Sequence, residues 1–124
     1  YYNFFNVGAY TTASRNKIEQ GLWYASQSGS YSRPWNSVYK SIKGGAEFYS
    51  SQYVSKNQDT YYTKKFNVKN GVSNIGKHQY MTNVAGALSE GSIVKKAFTG
   101  NSSYAATFEI PVYTNMPSTP CVLP

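Results

Sequence analysis

The chain has 124 residues, which is enough for one small domain but not for two. Its hydrophobic content of 40% and aromatic content of 17% exclude an intrinsically disordered class. Lysine and arginine number 12 against 5 acidic residues, giving a formal net charge of +7, and no apolar run is long enough to predict a membrane span.

The chain is predicted to open with a loop that leads into a helix. Residues 1–14 are aromatic and small, and this start predicts a piece of a longer protein, because natural N-termini are usually polar. Asn16 is placed to cap the helix, with Glu19 completing a capping box. We expect Gly29 to end this helix. Its predicted apolar face consists of Ile18, Leu22 and Ala25.

A second helix is predicted to end near Val54, with Asn36 or Ser37 as its cap. Gly44 and Gly45 lie inside it, and each costs roughly 1 kcal/mol relative to alanine in a helix. Such a pair in a periodic helix predicts that another backbone approaches closely. The predicted inward stripe consists of Val38, Ile42, Gly45, Tyr49 and Tyr53.

The rest of the chain is predicted to contain shorter elements. We expect a helical turn at Thr60–Lys65, a loop over 70–74, a short helix over 77–84 and a helix at Ser89–Phe98. The last helix is predicted to turn four residues inward, namely Ile93, Val94, Ala97 and Phe98.

The C-terminal part has a different composition. Residues 104–113 are of β type, and Pro111 favours an edge or extended segment over a central strand. Residues 118–124 are rich in proline and predict an extended tail. Taken together, the predicted elements indicate a mainly α fold.

The counts of reactive residues exclude several kinds of site. A single cysteine, Cys121, excludes an internal disulfide framework and a multi-cysteine zinc site. A Ser-His-Asp triad would need the only histidine, His78, and the only aspartate, Asp59, and neither lies in a protease-like context. The five carboxylates show no metal-ligand spacing, so we expect no metal and no cofactor.

The excess of basic residues favours a polyanion as a partner, such as nucleic acid, an acidic membrane or an anionic wall polymer. The charges are dispersed, and the only basic doublets are Lys64-Lys65 and Lys95-Lys96. This pattern is weaker than the basic stripe of a nucleic-acid binder, so we expect no nucleic-acid partner. Ordinary solubility also explains the charge, and the oligomeric state stays open.

An ordered set of motifs resembles the C-terminal half of bacterial glucosaminidase autolysins, which are endo-β-N-acetylglucosaminidases of glycoside hydrolase family 73, and the ending is most similar to clostridial ones. The motifs cover nearly the whole chain and read YNFFNVGAY, NKIEQGLWYA, WNSVYKSIKGGAEFYSSQYV, NQDTYYTKKFNV, HQYMTN and FEIPVYTNMP. The resemblance implies an α+β lysozyme-like domain over 1–117, with 118–124 as a tail.

The resemblance also implies a function. Such enzymes cut the β-1,4 bond after N-acetylglucosamine in peptidoglycan glycan strands, in a secreted or cell-wall location. In that family the general acid is a glutamate upstream of the NFF-type motif. This sequence begins at that motif, so we expect the chain alone to be inactive. The alternative is a non-catalytic module that binds cell-wall glycan.

The resemblance implies an auxiliary catalytic role for Tyr80, whose phenol would bond the N-acetyl group or hold a water. Asn83 stands where relatives have aspartate, and an amide is no base. Trp35 and Phe66 would offer apolar faces to a sugar, with a loop anchor as the alternative for Trp35. Alongside Tyr80, the implied substrate-binding residues are Asn3, Phe5, Tyr10, Trp35, Phe66, His78 and Asn83. For Phe5 and His78, core packing and a structural role are the respective alternatives.

The five carboxylates of the chain are poor candidates for the general acid of glycoside hydrolysis, which needs a protonated carboxyl group. None has the flanking aromatic setting that would raise its pKa for this task. These residues are Glu19, Glu47, Asp59, Glu90 and Glu109.

Overall fold

The computed structural model describes residues 1–100, 103, 105 and 107–119. The chain divides into a first unit, Tyr1–Asp59, and a second unit, Thr60–Pro124, and each is described by itself. The predicted mainly α class is confirmed, since the single β pairing in the described part is an isolated bridge between Gly29 and Arg33. In the same part, no helix combines the length and apolar character needed to cross a membrane.

The first unit contains helices α1 (Lys17–Ser26) and α2 (Val38–Gln52), followed by a 3₁₀ turn at Val54–Lys56. The second unit contains helices α3 (Tyr61–Phe66) and α4 (Gly86–Phe98), with 3₁₀ turns at Val68–Asn70 and Val72–Asn74 between them.

Helix α1 begins as predicted but buries a different face. The Asn16 side chain accepts from the backbone N–H of Glu19 at 3.0 Å, and the Glu19 carboxylate accepts from the Asn16 N–H at 2.9 Å, so the capping box is confirmed. The predicted face is wrong at Ile18 and Leu22, which are 68% and 42% exposed. The helix buries Gln20, Gly21 and Ala25 instead, because the N-terminal loop packs against Gly21, and it ends at Ser26, before Gly29.

Helix α2 is capped by Ser37 and accommodates close neighbours at its glycine pair. A β-carbon on Gly44 would overlap the carbonyl oxygen of Tyr31 and the indole of Trp35, and one on Gly45 would overlap the ring of Phe5. The predicted close approach is therefore confirmed. The predicted stripe is wrong at two positions, Val38 and Ile42, which are exposed because the small residues Ser41, Gly44 and Gly45 form the packed side.

Trp35 is at the centre of the core of the first unit. Its ring is completely buried beside Val7 and Ala25, and its indole N–H donates to the carbonyl of Tyr31 at 2.7 Å. The backbone N–H of Trp35 donates to the carbonyl of Ala25 at 2.8 Å, which ties the loop before α2 to the end of α1. Partly buried aromatic rings surround this centre, namely Phe5, Tyr24, Tyr31 and Phe48.

Helix α3 confirms the predicted helical turn, and Thr60 caps it by accepting from the N–H of Thr63 at 3.1 Å. The predicted helix over 77–84 is wrong, because this segment bonds to α3 instead of to itself. The N–H of Tyr80 donates to the carbonyl of Lys64 at 3.0 Å, and His78 has a φ of 53°, in the left-handed region.

Helix α4 begins earlier than predicted and turns a different side inward. Ile93, Ala97 and Phe98 are exposed, so the predicted inward face is wrong at these three positions. Val94 is half-buried, as are Ala87 and Glu90, and Gly86 is buried. The packed side is the one that carries Glu90, whose carboxylate pairs with Lys64 of α3.

The described part of the C-terminal segment forms no strand. Most of its side chains are exposed, among them Phe108, Ile110 and Val112 at 82%, 80% and 83% exposure. Between them, Glu109 forms an ion pair with Lys69. Residues 104 and 106 of the predicted extended segment lie outside the described residues, as do Cys121 and all of the predicted tail except 118 and 119.

Candidate functional site

Asn3 ties the N-terminal loop to α1 through its side-chain amide. Its Nδ2 donates to the carbonyls of Val7 and Gly21, both at 2.8 Å, and its Oδ1 accepts from the N–H of Val7 at 3.0 Å. Both N–H bonds of the amide are therefore used within the first unit. Asn3 also borders an open cavity of about 300 Å³. The other residues lining it are Asn6, Ala9, Lys17, Ile18, Gly21 and Leu22.

The aromatic residues predicted in the first unit fall into two groups. Trp35 is completely buried, so its ring has no face open to a sugar in this structure, and Phe5 is half-buried and packs against the core. Tyr10 is 60% exposed. Tyr2 and Phe4 are also exposed, with nearly parallel rings whose centroids are 6.2 Å apart. Exposed, aligned rings of this kind suit the C–H faces of sugars.

In the second unit, Tyr80 lies in a cluster built around the Lys64 ammonium group. The ammonium nitrogen lies 4.6 Å from the ring centroid of Tyr80 and 5.0 Å from that of Tyr61, within cation–π range. Its charge is balanced by Glu90, whose carboxylate oxygens are 2.9 and 2.8 Å away. The Lys64 side chain is only 6% exposed, so the cluster is a packed, charge-neutral arrangement.

Lys65 bonds to the segment that carries Tyr80. Its ammonium donates to Oε1 of Gln79 at 2.5 Å, to the carbonyl of Met81 at 2.6 Å and to that of Thr82 at 3.2 Å. Lys65 is 2% exposed. An ammonium group has three donors, and all three are used here.

The other predicted residues of the second unit lie near this cluster in the chain but have different roles. The ring of Phe66 packs at 4.8 Å from that of Tyr62. His78 is exposed and has interaction partners. The Asn83 side chain accepts from the N–H of Ala85 at 3.0 Å, which shapes the turn before α4.

A second open cavity, of about 610 Å³, lies between the two later 3₁₀ turns and residues 109–114. The phenols of Tyr62 and Tyr113 are 2.8 Å apart beside it. Burial and this hydrogen bond raise the pKa of the Tyr62 phenol to about 12, because both favour the protonated form. The lining mixes apolar side chains, such as Val68, Ile75 and Val112, with two threonines and the ion pair of Lys69 and Glu109.

Each of the five Asp and Glu side chains, all within the described residues, has a partner. Glu19 closes the α1 capping box, and Glu90 pairs with Lys64. Glu47 accepts from the hydroxyl of Ser32 at 3.4 Å and lies 4.0 Å from Lys43. The remaining two are Glu109, paired with Lys69, and Asp59, which is exposed and also has a partner.

Sequence reasoning noted Lys64 and Lys65 only as one of two basic doublets and did not predict that they are buried. A usable signal was their setting, since Tyr61, Tyr62 and Phe66 surround the doublet within a short helix. Lysines with aromatic residues on both sides have rings available to cover them, whereas Lys95 and Lys96 have an aromatic neighbour, Phe98, on one side only and are exposed.

Comparison with known proteins gives one clear similarity. Bifunctional autolysin of Staphylococcus epidermidis is 34% identical over 113 residues, and that of Staphylococcus aureus (strain Mu50) is 33% identical over 113 residues. Both alignments cover 91% of this chain, and the chain spans 8% of the length of each relative. The resemblance to bacterial autolysins is therefore confirmed. No protein-family model matches the chain, and no solved structure matches it significantly.

Proposed function

We propose that this chain is part of a peptidoglycan hydrolase of the autolysin type. The observation that carries the proposal is the 34% identity over 91% of the chain with the staphylococcal bifunctional autolysin. The finer assignment is endo-β-N-acetylglucosaminidase activity, in which a glycoside hydrolase cuts the β-1,4 bond after N-acetylglucosamine. It rests on the ordered motifs, with residues 1–117 as the glucosaminidase portion and 118–124 as its tail.

The contribution of the chain itself is to hold glycan. Tyr2, Phe4 and Tyr10 of the first unit offer exposed rings for sugar faces. In the second unit Tyr80 is half-buried, with its ring held under the Lys64 ammonium, which suits a phenol that bonds an acetamido group or a water.

The carboxylic acid that protonates the leaving oxygen comes from outside the five carboxylates of this chain. A general acid needs a proton to give and room to reach the glycosidic oxygen. All five carboxylates have partners, and three of them lie in ion pairs with lysines. Separated from that acid, the chain binds glycan and does not cut it.

Such a hydrolase is secreted and acts at the cell wall. A formal net charge of +7 gives a weak, salt-sensitive attraction to anionic wall polymers, since exposed charges are screened over about 10 Å at 0.1 M salt. Peptidoglycan strands are the specific partner, and the anionic wall polymers are a second partner that is bound by general charge attraction.

The test is a sedimentation and turbidity assay with purified Gram-positive walls, on a sample whose intact mass is 13.8 kDa. We expect the walls to take up the protein without clearing. Tyr80→Ala should weaken uptake about tenfold, or about 1.4 kcal/mol, while Tyr39→Ala, which removes a phenol 71% exposed on α2, should not. Clearing at this mass would place the acid among the five carboxylates, and absence of uptake would contradict the glycan-holding role.

The second candidate is a non-catalytic module that binds cell-wall glycan, and the engagement of every carboxylate favours it. The two candidates differ in what happens when the chain is joined to an autolysin segment that contains a glutamate acid. If the joined protein clears walls and Tyr80→Ala weakens that clearing, the hydrolase is supported. If the joined protein still binds walls but does not clear them, the binding module is supported.

A further inference from the structure

Lys65 has an unusual position for a lysine, because its charged end is inside the protein. Lysine is almost never fully buried unless its ammonium group has compensating partners. Here the three partners are Oε1 of Gln79 and the carbonyls of Met81 and Thr82, at 2.5–3.2 Å. All three belong to one stretch of four residues, so hydrogen bonds to the ammonium hold the backbone of that stretch in place.

Tyr80 lies in the middle of this stretch and is bound from both sides. Its neighbours in sequence, Gln79 and Met81, bond to Lys65, while its own N–H donates to the carbonyl of Lys64 at 3.0 Å. Its ring packs 4.6 Å from the Lys64 ammonium. The irregular conformation of the segment therefore depends on α3 for its hydrogen bonds, which explains why it forms no helix of its own.

We propose that Lys65 is a positioning residue, whose buried ammonium holds Gln79–Thr82 so that Tyr80 faces glycan. This inference rests on the proposed wall-binding role of Tyr80. Without the ammonium, three oxygen acceptors point at one another with no donor between them. These acceptors must then find water or separate, and either change moves Tyr80.

The main experiment uses Lys65→Ala in the full 124-residue chain, with and without n-propylamine. This amine has the three carbons and the nitrogen that the substitution removes, so its ammonium can occupy the vacated space. Two quantities are measured, namely hydrogen exchange at the Tyr80 amide and the affinity for purified walls. Lys96→Ala is the matched control, because it removes the same charge from an exposed position in the same unit.

We expect Lys65→Ala to speed exchange at the Tyr80 amide and to weaken wall affinity at least tenfold, and we expect propylamine to restore both. Lys96→Ala should change affinity less than twofold. Adding Tyr80→Ala to Lys65→Ala should produce no further loss, because both substitutions disable the same contact. Unchanged exchange at Tyr80, or unchanged affinity when Tyr80→Ala alone weakens binding, would overturn the proposal.

A second variant covers the case in which Lys65→Ala does not fold. Lys65→Arg keeps the charge, but its planar fork cannot send three N–H bonds to three converging oxygens. We expect it to remain folded, exchange faster at Tyr80 and bind walls at least threefold more weakly. If the Tyr80 amide of folded Lys65→Arg exchanged its hydrogen as slowly as in the wild type, the proposal would be overturned.

The two proposals fail in different ways. If the wild-type chain does not bind walls, the proposed function fails. The exchange measurement with propylamine rescue still decides whether Lys65 sets the position of Tyr80.

Discussion

Replacing Gly45 by alanine tests how tightly α2 packs against the core of the first unit. In an open helix this change stabilises by about 1 kcal/mol, because alanine is the better helix former. At Gly45, however, the new β-carbon overlaps three atoms of the Phe5 ring. The ring has little room to withdraw, since it packs against the cluster of Val7, Ala25 and Trp35.

Overpacking of a filled core costs about 1–3 kcal/mol. Because Phe5 already packs against the core cluster, the upper end of that range applies. Subtracting the gain in helix propensity of about 1 kcal/mol leaves a net loss of about 2 kcal/mol for Gly45→Ala. The loss belongs to the first unit, because all the contacting residues lie there.

Gly91 provides a matched control. It lies inside α4, and a β-carbon added there would meet no neighbouring atom within 4 Å. The same substitution there should stabilise α4 by about 0.5–1 kcal/mol. Residue-resolved hydrogen exchange on α2 and α4 measures both effects. Fluorescence provides a second measurement for the first unit, which contains both tryptophans, Trp23 and Trp35.

A double variant separates overpacking from other causes. Phe5→Leu removes the ring that the new β-carbon would meet, so Gly45→Ala should cost much less in that background than in the wild type. Overpacking at Gly45 is refuted if Gly45→Ala stabilises α2 as Gly91→Ala stabilises α4. It is also refuted if Gly45→Ala costs the same stability in the wild type and in Phe5→Leu.

The remaining predictions concern a helix cap and a phenol. Asn16→Ala should lower the stability of α1 by about 1 kcal/mol, seen as faster exchange in its first turn, because it removes the acceptor for two backbone N–H groups. The folded-state pKa of Tyr62 is raised from 10.0 to about 12, so the stabilisation from this phenol is complete below pH 10.0 and is lost as pH rises through about 12. In Tyr113→Phe, absorbance titration at alkaline pH should show the Tyr62 pKa falling part of the way toward 10.0, because burial, the larger cause of the shift, remains while the hydrogen bond is lost; an unchanged pKa would contradict a contribution from that hydrogen bond.

Local chemistry could be predicted from the sequence. The capping box at Asn16 and Glu19 depends on residues three apart, and the close contact at Gly44-Gly45 depends on the absence of side chains. The inward faces of helices were less predictable. Ile18 is exposed because the loop residues Asn3 and Ala9 approach the small Gly21, and a small residue gives no apolar signal.

The candidate site was less predictable still, because its organising contacts are distant in sequence. The acceptors of Lys65 lie 14 to 17 residues further along the chain, and two of the three are backbone carbonyls, which every residue type has. A lysine gives no sign in sequence that such carbonyls will surround it. Trp35 illustrates the opposite case, since an aromatic residue suits a sugar surface and a core equally well, and here the core contains it.

The burial of Lys64 and Lys65 has a consequence for chemical labelling of the folded chain. Amine-reactive reagents need a deprotonated, accessible nitrogen, and these two residues are 4% and 2% exposed with their ammonium groups bonded to oxygen atoms. Dyes or biotin coupled through lysine will therefore attach to exposed lysines such as Lys40 and Lys96. A labelled chain keeps its α3 surroundings unaltered, and late reaction at these two nitrogens reports that the second unit has opened.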